Sequence, residues 1–119
     1  MLREITDETY VQFIENTDTP VLLDFYSPTC GPCQALMGMM EQIAAFYSNE
    51  TIAFARIDVS RNPKLAKKYQ IRSVPLVCIV DTNKKIAFAE EGLRDRNTYV
   101  AAIDKLLSPK RSFWQKLFG

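Results

Sequence analysis

The chain has 119 residues, 47% of them hydrophobic and 24% charged, the size and balance of one globular domain that buries its own core without covalent staples. Its formal net charge of +1 supplies no field that would make nucleic acid the main partner. With no histidine in the chain, Cys–His and Ser–His–Asp catalysis and most transition-metal sites are excluded.

In chain order, the first residues, Met1-Leu2-Arg3-Glu4-Ile5-Thr6-Asp7-Glu8, lack a basic region followed by an apolar run, the mark of a secretory signal. Leu2 to Ile5 reads as a short strand. Thr6-Asp7-Glu8-Thr9 reads as a helix start, a hydroxyl cap followed by early acids, running to Ile14 or Glu15. Asn16-Thr17-Asp18-Thr19-Pro20 is a turn by composition. Val21 to Tyr26 is apolar apart from Asp24, as expected of a strand covered on both faces.

Gln34 to Tyr47 is predicted as a helix, with Leu36, Met39, Met40, Ile43, Phe46 and Tyr47 at three- and four-residue steps. Gly38 inside it weakens the helix and allows a bend. Strand character returns from Thr51 to Val59, and Asn62-Pro63 opens a short basic helix, Lys64 to Tyr69. Ser73-Val74-Pro75 precedes an apolar strand, Leu76 to Val80. Asp81-Thr82-Asn83-Lys84 is a hairpin turn into Lys85 to Glu90, which Gly92 ends, and Thr98 to Leu107 is a last amphipathic helix. The order β-α-β-α-β-α-β-β-α predicts an α/β fold, a mixed central sheet between helices on both faces. No stretch approaches the about 18 apolar residues that cross a bilayer, and a cytoplasmic location is the expectation. There, a close cysteine pair points to catalysis or metal binding before structure.

Such a pair, Cys30-Gly31-Pro32-Cys33, stands where the strand Val21–Tyr26 gives way to a helix. The first turn of a helix brings cysteines at this spacing within bonding range. Its unpaired N–H groups and positive dipole end favour thiolate over thiol, and in such C-x-x-C sites the free-cysteine pKa of about 8.5 falls to roughly 3.5–7.5. The chemistry inferred is dithiol–disulfide exchange. Half of a zinc site is the first rival, but zinc needs four ligands and the chain adds only Cys78 and carboxylates. A structural staple is the second, and it would close too small a loop to stabilise much. Asp24, in the strand before the pair, reads as a buried carboxylate of raised pKa that takes a proton from a thiol, against the plainer reading of a hydrogen-bonded carboxylate in an apolar strand. Cys78 reads as a small buried hydrophobe, and Met37, Met39 and Met40 as helix packing, with Met37 placed to reach a binding surface.

Taken together, these residues resemble the thioredoxin family over about residues 2–107. The resemblance rests on Asp24-Phe25, Cys30-Gly31-Pro32-Cys33, Arg56 and Asp58 on the third strand, Asn62-Pro63, Ile71-Arg72-Ser73-Val74-Pro75 and Gly92, in the family's order and nearly its spacing. It implies the thioredoxin fold and protein-disulfide reduction through a reversible Cys30–Cys33 disulfide. By the same resemblance Cys30 is the exposed attacking cysteine and Cys33 the buried resolving one. Asp24 is the carboxylate behind them. Pro75 is a cis-proline facing the disulfide, Val74 lends its backbone to the substrate, and Gly92 borders the binding surface, with Thr29 beside it. Gly31, Pro32 and Arg56 support the site, Arg56 by balancing the Asp24 charge.

The chain departs from the family at several positions. Thr29, after Pro28, replaces the usual Trp before the first cysteine, Tyr26 replaces another Trp, Gly38 a kinking proline, and Arg56 a lysine that, unlike arginine, could titrate. Losing the indole beside Cys30 changes how protein partners pack there. Residues 108–119 form an additional tail in which Lys110, Arg111 and Lys116 are cations without acids, and Phe113, Trp114, Leu117 and Phe118 make one apolar face. Packing back on the domain is its plain reading, with partner docking or weak membrane adsorption behind. The expectation is a monomeric electron carrier of cell redox homeostasis with no cofactor and no metal. Its partners would be disulfide-containing client proteins and a thioredoxin reductase as electron donor. The rival class is a thioredoxin-fold binding module, a dedicated adaptor whose redox turnover is incidental.

Overall fold

A computed structural model describes residues 2–108. In chain order the elements are β1 (Arg3–Glu4), a π-type helix (Val11–Glu15), β2 (Val21–Tyr26), α1 (Gly31–Ala44), β3 (Ala53–Asp58), α2 (Pro63–Lys68), β4 (Leu76–Val80), β5 (Ile86–Glu91) and α3 (Arg96–Leu106). The strands form one five-stranded sheet in the order β1-β3-β2-β4-β5. The β1–β3 and β2–β3 pairs are parallel, and the β2–β4 and β4–β5 pairs antiparallel. This is the mixed sheet the element order predicts.

Alternation along the strands decides what each face covers. Leu22, Phe54, Val77 and Ile79 pack with Leu36, Met40 and Ile43 of α1 and with Tyr99 and Ile103 of α3. Val21, Leu23, Phe25, Ile57 and Cys78 pack with Tyr10, Ile14 and, from α2, Leu65. Helices therefore cover both faces, and β2, in the middle, is buried from Val21 to Phe25. Asp24 shares its face with Leu22 and points toward the α1–α3 layer; Cys78 points into the opposite one.

The ends of several elements differ from the sequence reading, most of all in the helices. The first helix opens with ordinary turns, Tyr10 N–H donating to the Thr6 carbonyl at 3.0 Å, and ends in a wide π-type turn, Asn16 N–H to the Val11 carbonyl at 2.9 Å. The acid read as belonging to its first turn serves another helix. Asp7 Oδ1 accepts the Leu65 N–H at 3.0 Å and Oδ2 the Lys64 N–H at 3.3 Å, satisfying free donors of α2, while Asn62 Oδ1 accepts the Asp7 N–H at 2.9 Å. Helix α1 begins at Gly31, three residues before the predicted Gln34, because proline in a first helical turn sacrifices no internal hydrogen bond. It ends at Ala44, so Phe46, which continues the periodic pattern, is 81% exposed. Tyr47 instead packs against the core and donates to Asp104 Oδ1 at 2.8 Å. Helix α3 starts at Arg96, two residues before the predicted Thr98. The hairpin turn stands as read: Asp81 Oδ1 accepts the N–H groups of Asn83 and Lys85 at 2.9 and 3.0 Å. No helix among the described residues is long and apolar enough to cross a membrane.

Candidate active site

The end of β2 and the start of α1 build the site. Beyond Tyr26 the chain turns over Ser27, Pro28 and Thr29, and the Cys30 N–H closes the turn on the Ser27 carbonyl at 3.2 Å. Cys30 is the N-cap of α1, its sulfur accepting the Cys33 N–H at 3.1 Å. A donor there stabilises a thiolate more than a thiol, since hydrogen bonds to an ionised acceptor are the stronger kind. Cys30 and Cys33 are bonded, their Cα atoms 5.2 Å apart. Cys30 is half-buried and flanked by exposed Thr29, Gly31 and Pro32, whereas Cys33 is wholly buried. An incoming disulfide therefore meets Cys30 first.

The sheet register brings the other predicted residues to the same end of the fold. Phe25 pairs with Leu76 in the antiparallel β2–β4 ladder, which places the start of β4 beside the end of β2. Val74–Pro75 immediately precedes β4 and is cis. Val74 lies outside the ladder, half-buried. The Gly92 N–H donates to the Pro75 carbonyl at 2.8 Å, tying the end of β5 to that proline. Gly92 has φ +81°, a left-handed conformation that glycine adopts without steric cost.

Asp24 is wholly buried, and neither of its carboxylate oxygens has a hydrogen-bond partner among the described residues. The plainer reading would give this carboxylate a hydrogen-bond partner, and no described residue supplies one. Burial pushes its pKa from 3.8 up to about 7, against a smaller downward pull from Arg56. Arg56 sits across from Asp24 in the β2–β3 register, yet its Nε donates to Glu4 Oε1 at 2.6 Å and its Nη1 to Met37 Sδ. It acts on Asp24 through space. Met37, one turn beyond Cys33, is half-buried and takes up this contact.

Two neighbours of the site escape a sequence reading. Glu4 accepts from the Tyr26 hydroxyl, at 3.0 and 2.9 Å, as well as from Arg56. Tyr99, wholly buried on α3, accepts the Arg94 N–H at 3.0 Å and so holds the segment after Gly92. A tyrosine on an otherwise apolar helix face was the available signal for Tyr99; Glu4 gave none, because its partners come from strands far along the chain. Cys78 is buried on the other face of the sheet, its thiol pushed up to about 12 by burial. It takes no part in the site. Among the described residues, no group of three or more His, Cys, Asp or Glu side chains is placed to hold a metal ion.

Comparison with known proteins agrees with this geometry. The family model described as Thioredoxin matches residues 1–105. Thioredoxin 1 of Nostoc sp. is 35% identical over 83 residues, covering 70% of this chain and 77% of that protein. Thioredoxin of Porphyra purpurea is 31% identical over 105 residues, 88% of this chain and 96% of that protein. Thioredoxin 1 of Synechococcus elongatus is 31% identical over 103 residues, 87% of this chain and 94% of that protein. None of these similarities favours an adaptor without redox turnover. The chain therefore belongs to the thioredoxin family and is a thiol–disulfide oxidoreductase that reduces protein disulfides.

Proposed function

We propose that the chain works as a cytoplasmic dithiol electron carrier, a net reductant of client proteins that contributes to cell redox homeostasis and is recharged by a thioredoxin reductase. The observation that carries the reading is the asymmetry of the pair, a half-exposed, N–H-capped Cys30 above a wholly buried Cys33. Cys30 thiolate attacks one sulfur of the client disulfide, forming a mixed disulfide and releasing the first client thiolate. Cys33 then loses its proton to the Asp24 carboxylate, and its thiolate attacks the Cys30 sulfur. The second client thiolate leaves, and Cys30–Cys33 is oxidised. Two electrons have passed to the client, and the reductase returns them.

Val74, Pro75, Gly92 and Thr29 form the substrate surface in this reading. The backbone of Val74, outside the β2–β4 ladder, offers pairing groups to an extended client segment. Thr29, without an indole, sets which clients pack there. Gly31 and Pro32 shape the turn and Arg56 carries the compensating charge. Residues 1–107 form the domain and 108–119 a tail, of which all beyond Ser108 lies outside the described residues. The protein acts as a monomer. Among the relatives, Thioredoxin M-type of Spinacia oleracea is named as chloroplastic.

The test is the Cys30–Cys33 reduction potential, read by thiol trapping across graded dithiothreitol buffers. A potential below the cytosolic glutathione poise of roughly −220 to −320 mV is expected of a reductant. A value well above that range would reverse the proposed direction of electron flow. A Cys33→Ser variant should also accumulate mixed disulfides with clients, since the resolving step is lost; an adaptor without turnover would keep its partners without such adducts.

A further inference from the structure

Three charged side chains stand in one row across neighbouring strands. Glu4 on β1 is in register with Arg56 on β3, and Arg56 is in register with Asp24 on β2. Residues in register project from the same face of a sheet, so a single cation lies between an exposed carboxylate and a buried one. Its bonding is one-sided. Arg56 Nε donates to Glu4 Oε1 at 2.6 Å and Nη1 to Met37 Sδ, whereas Asp24 receives no hydrogen bond from any described residue. Glu4 is braced in turn: the Tyr26 hydroxyl bonds its carboxylate, and the Tyr26 ring centroid lies 5.5 Å from the guanidinium carbon.

A guanidinium matches a carboxylate with a planar fork of donors, and a desolvated carboxylate is the partner it would bind hardest once within reach. Here the fork is turned the other way. We propose that Glu4 is a positioning residue of the exchange site: braced by Tyr26, it anchors Arg56 on the solvent side of the row and keeps it from pairing with Asp24, so that the buried carboxyl stays able to take up and hold a proton. This rests on the reading of Asp24 as the proton acceptor for Cys33.

The other surroundings of Asp24 leave Arg56 as its controlling charge. From β4 the in-register neighbour is Val77, which is apolar. From α3 comes the Tyr99 hydroxyl, which feels the Asp24 charge but is bonded to the Arg94 N–H. From α1 comes the Cys30–Cys33 pair, which does not titrate while bonded.

The experiment follows the Asp24 carboxyl by carbon-13 NMR through a pH titration of the full-length oxidised protein, in the parent, Glu4→Gln, Arg56→Gln and the double variant. Glu4→Gln should lower the Asp24 midpoint by about one unit, because a cation brought against a carboxylate lowers its pKa by about 1–3 units. Arg56→Gln should raise it, and in that background Glu4→Gln should have little further effect. An unchanged midpoint in Glu4→Gln, or an equal drop without Arg56, would overturn the proposal. The Arg56 Nε–H nitrogen resonance gives a check that needs no Arg56 substitution. In Glu4→Gln it should titrate together with Asp24, and a resonance that does not would also overturn it. An Asp24→Asn variant that resolves mixed disulfides at the parent rate would remove the acceptor role instead, leaving the Glu4–Arg56 arrangement to be judged on the NMR titration alone.

Discussion

Asp24 sets the pH behaviour of both stability and exchange. Its carboxyl titrates near 3.8 when solvated and near 7 in the folded chain, so folding takes up a proton between those values. The stability this contributes is complete below the unfolded value and is lost as pH rises through about 7, above which a buried charge remains that no described residue hydrogen-bonds. Asp24→Asn should therefore be more stable than the parent near pH 8, by at most on the order of 4 kcal/mol from the displacement of its pKa to about 7. Around pH 4 the difference should nearly vanish. Urea unfolding of the oxidised protein at both pH values checks this; an equal difference at the two would exclude titration as the cause. In exchange the acceptor role proposed for Asp24 has the opposite sign, because only an ionised carboxylate can take the Cys33 proton. Resolution of a mixed disulfide should slow as pH falls below about 7, with the dependence flattened in Asp24→Asn, as followed by stopped-flow kinetics. The presence of a buried carboxylate behind the cysteines was legible from its place in an apolar strand. That no described residue hydrogen-bonds it was not, because this depends on where Arg56 turns.

Helix α1 holds Cys33 and is capped by Cys30, and the residue after β5, Gly92, is tied to Pro75. An added Cβ at Gly38 would meet nothing within 4 Å, and the residue lies mid-helix with an ordinary backbone. Gly38→Ala should raise stability by about 0.5–1 kcal/mol, by removing the excess chain entropy of glycine. Thermal or denaturant unfolding reads it directly, and a loss of stability would show that α1 needs glycine there. Gly92 predicts the reverse. At φ +81° its Cβ would be strained and would stand 3.2 Å from Arg94 Nη1, so Gly92→Ala should cost about 1–2 kcal/mol and raise the KM for protein disulfides more than it lowers kcat. Element identity and order were plain from hydrophobic period, but ends were not. The pattern ran past Ala44 to Tyr47 because periodicity does not record where a helix stops, and Asp7 was assigned to its own helix because a cap supplied from elsewhere in the chain leaves no local trace.

At the scale of the molecule, the apolar clusters of the described residues lie one on each side of the sheet. A chain ending at Leu107 tests the boundary between domain and tail: a tail that packs on the domain, its plain reading, should leave the shortened chain less stable than the full one, and equal stability would exclude that reading. Capture of particular clients by a Cys33→Ser version of that shorter chain tests whether the tail docks a partner: fewer adducts would give the tail that role, while a loss of folding would show that it packs on the domain. The sequence by itself determined the fold class, the redox chemistry and the position of the reacting pair. Strand and helix periods, turn residues and the Cys-x-x-Cys spacing are local properties, readable over a few neighbours. Only the tertiary structure decided which charges meet. Strand pairing sets Glu4, Arg56 and Asp24 in one row although the chain separates them widely, and sheet parity sends Cys78 to the face opposite Asp24. Electrostatic partners are fixed by distance after folding, and no local pattern in the chain encodes it.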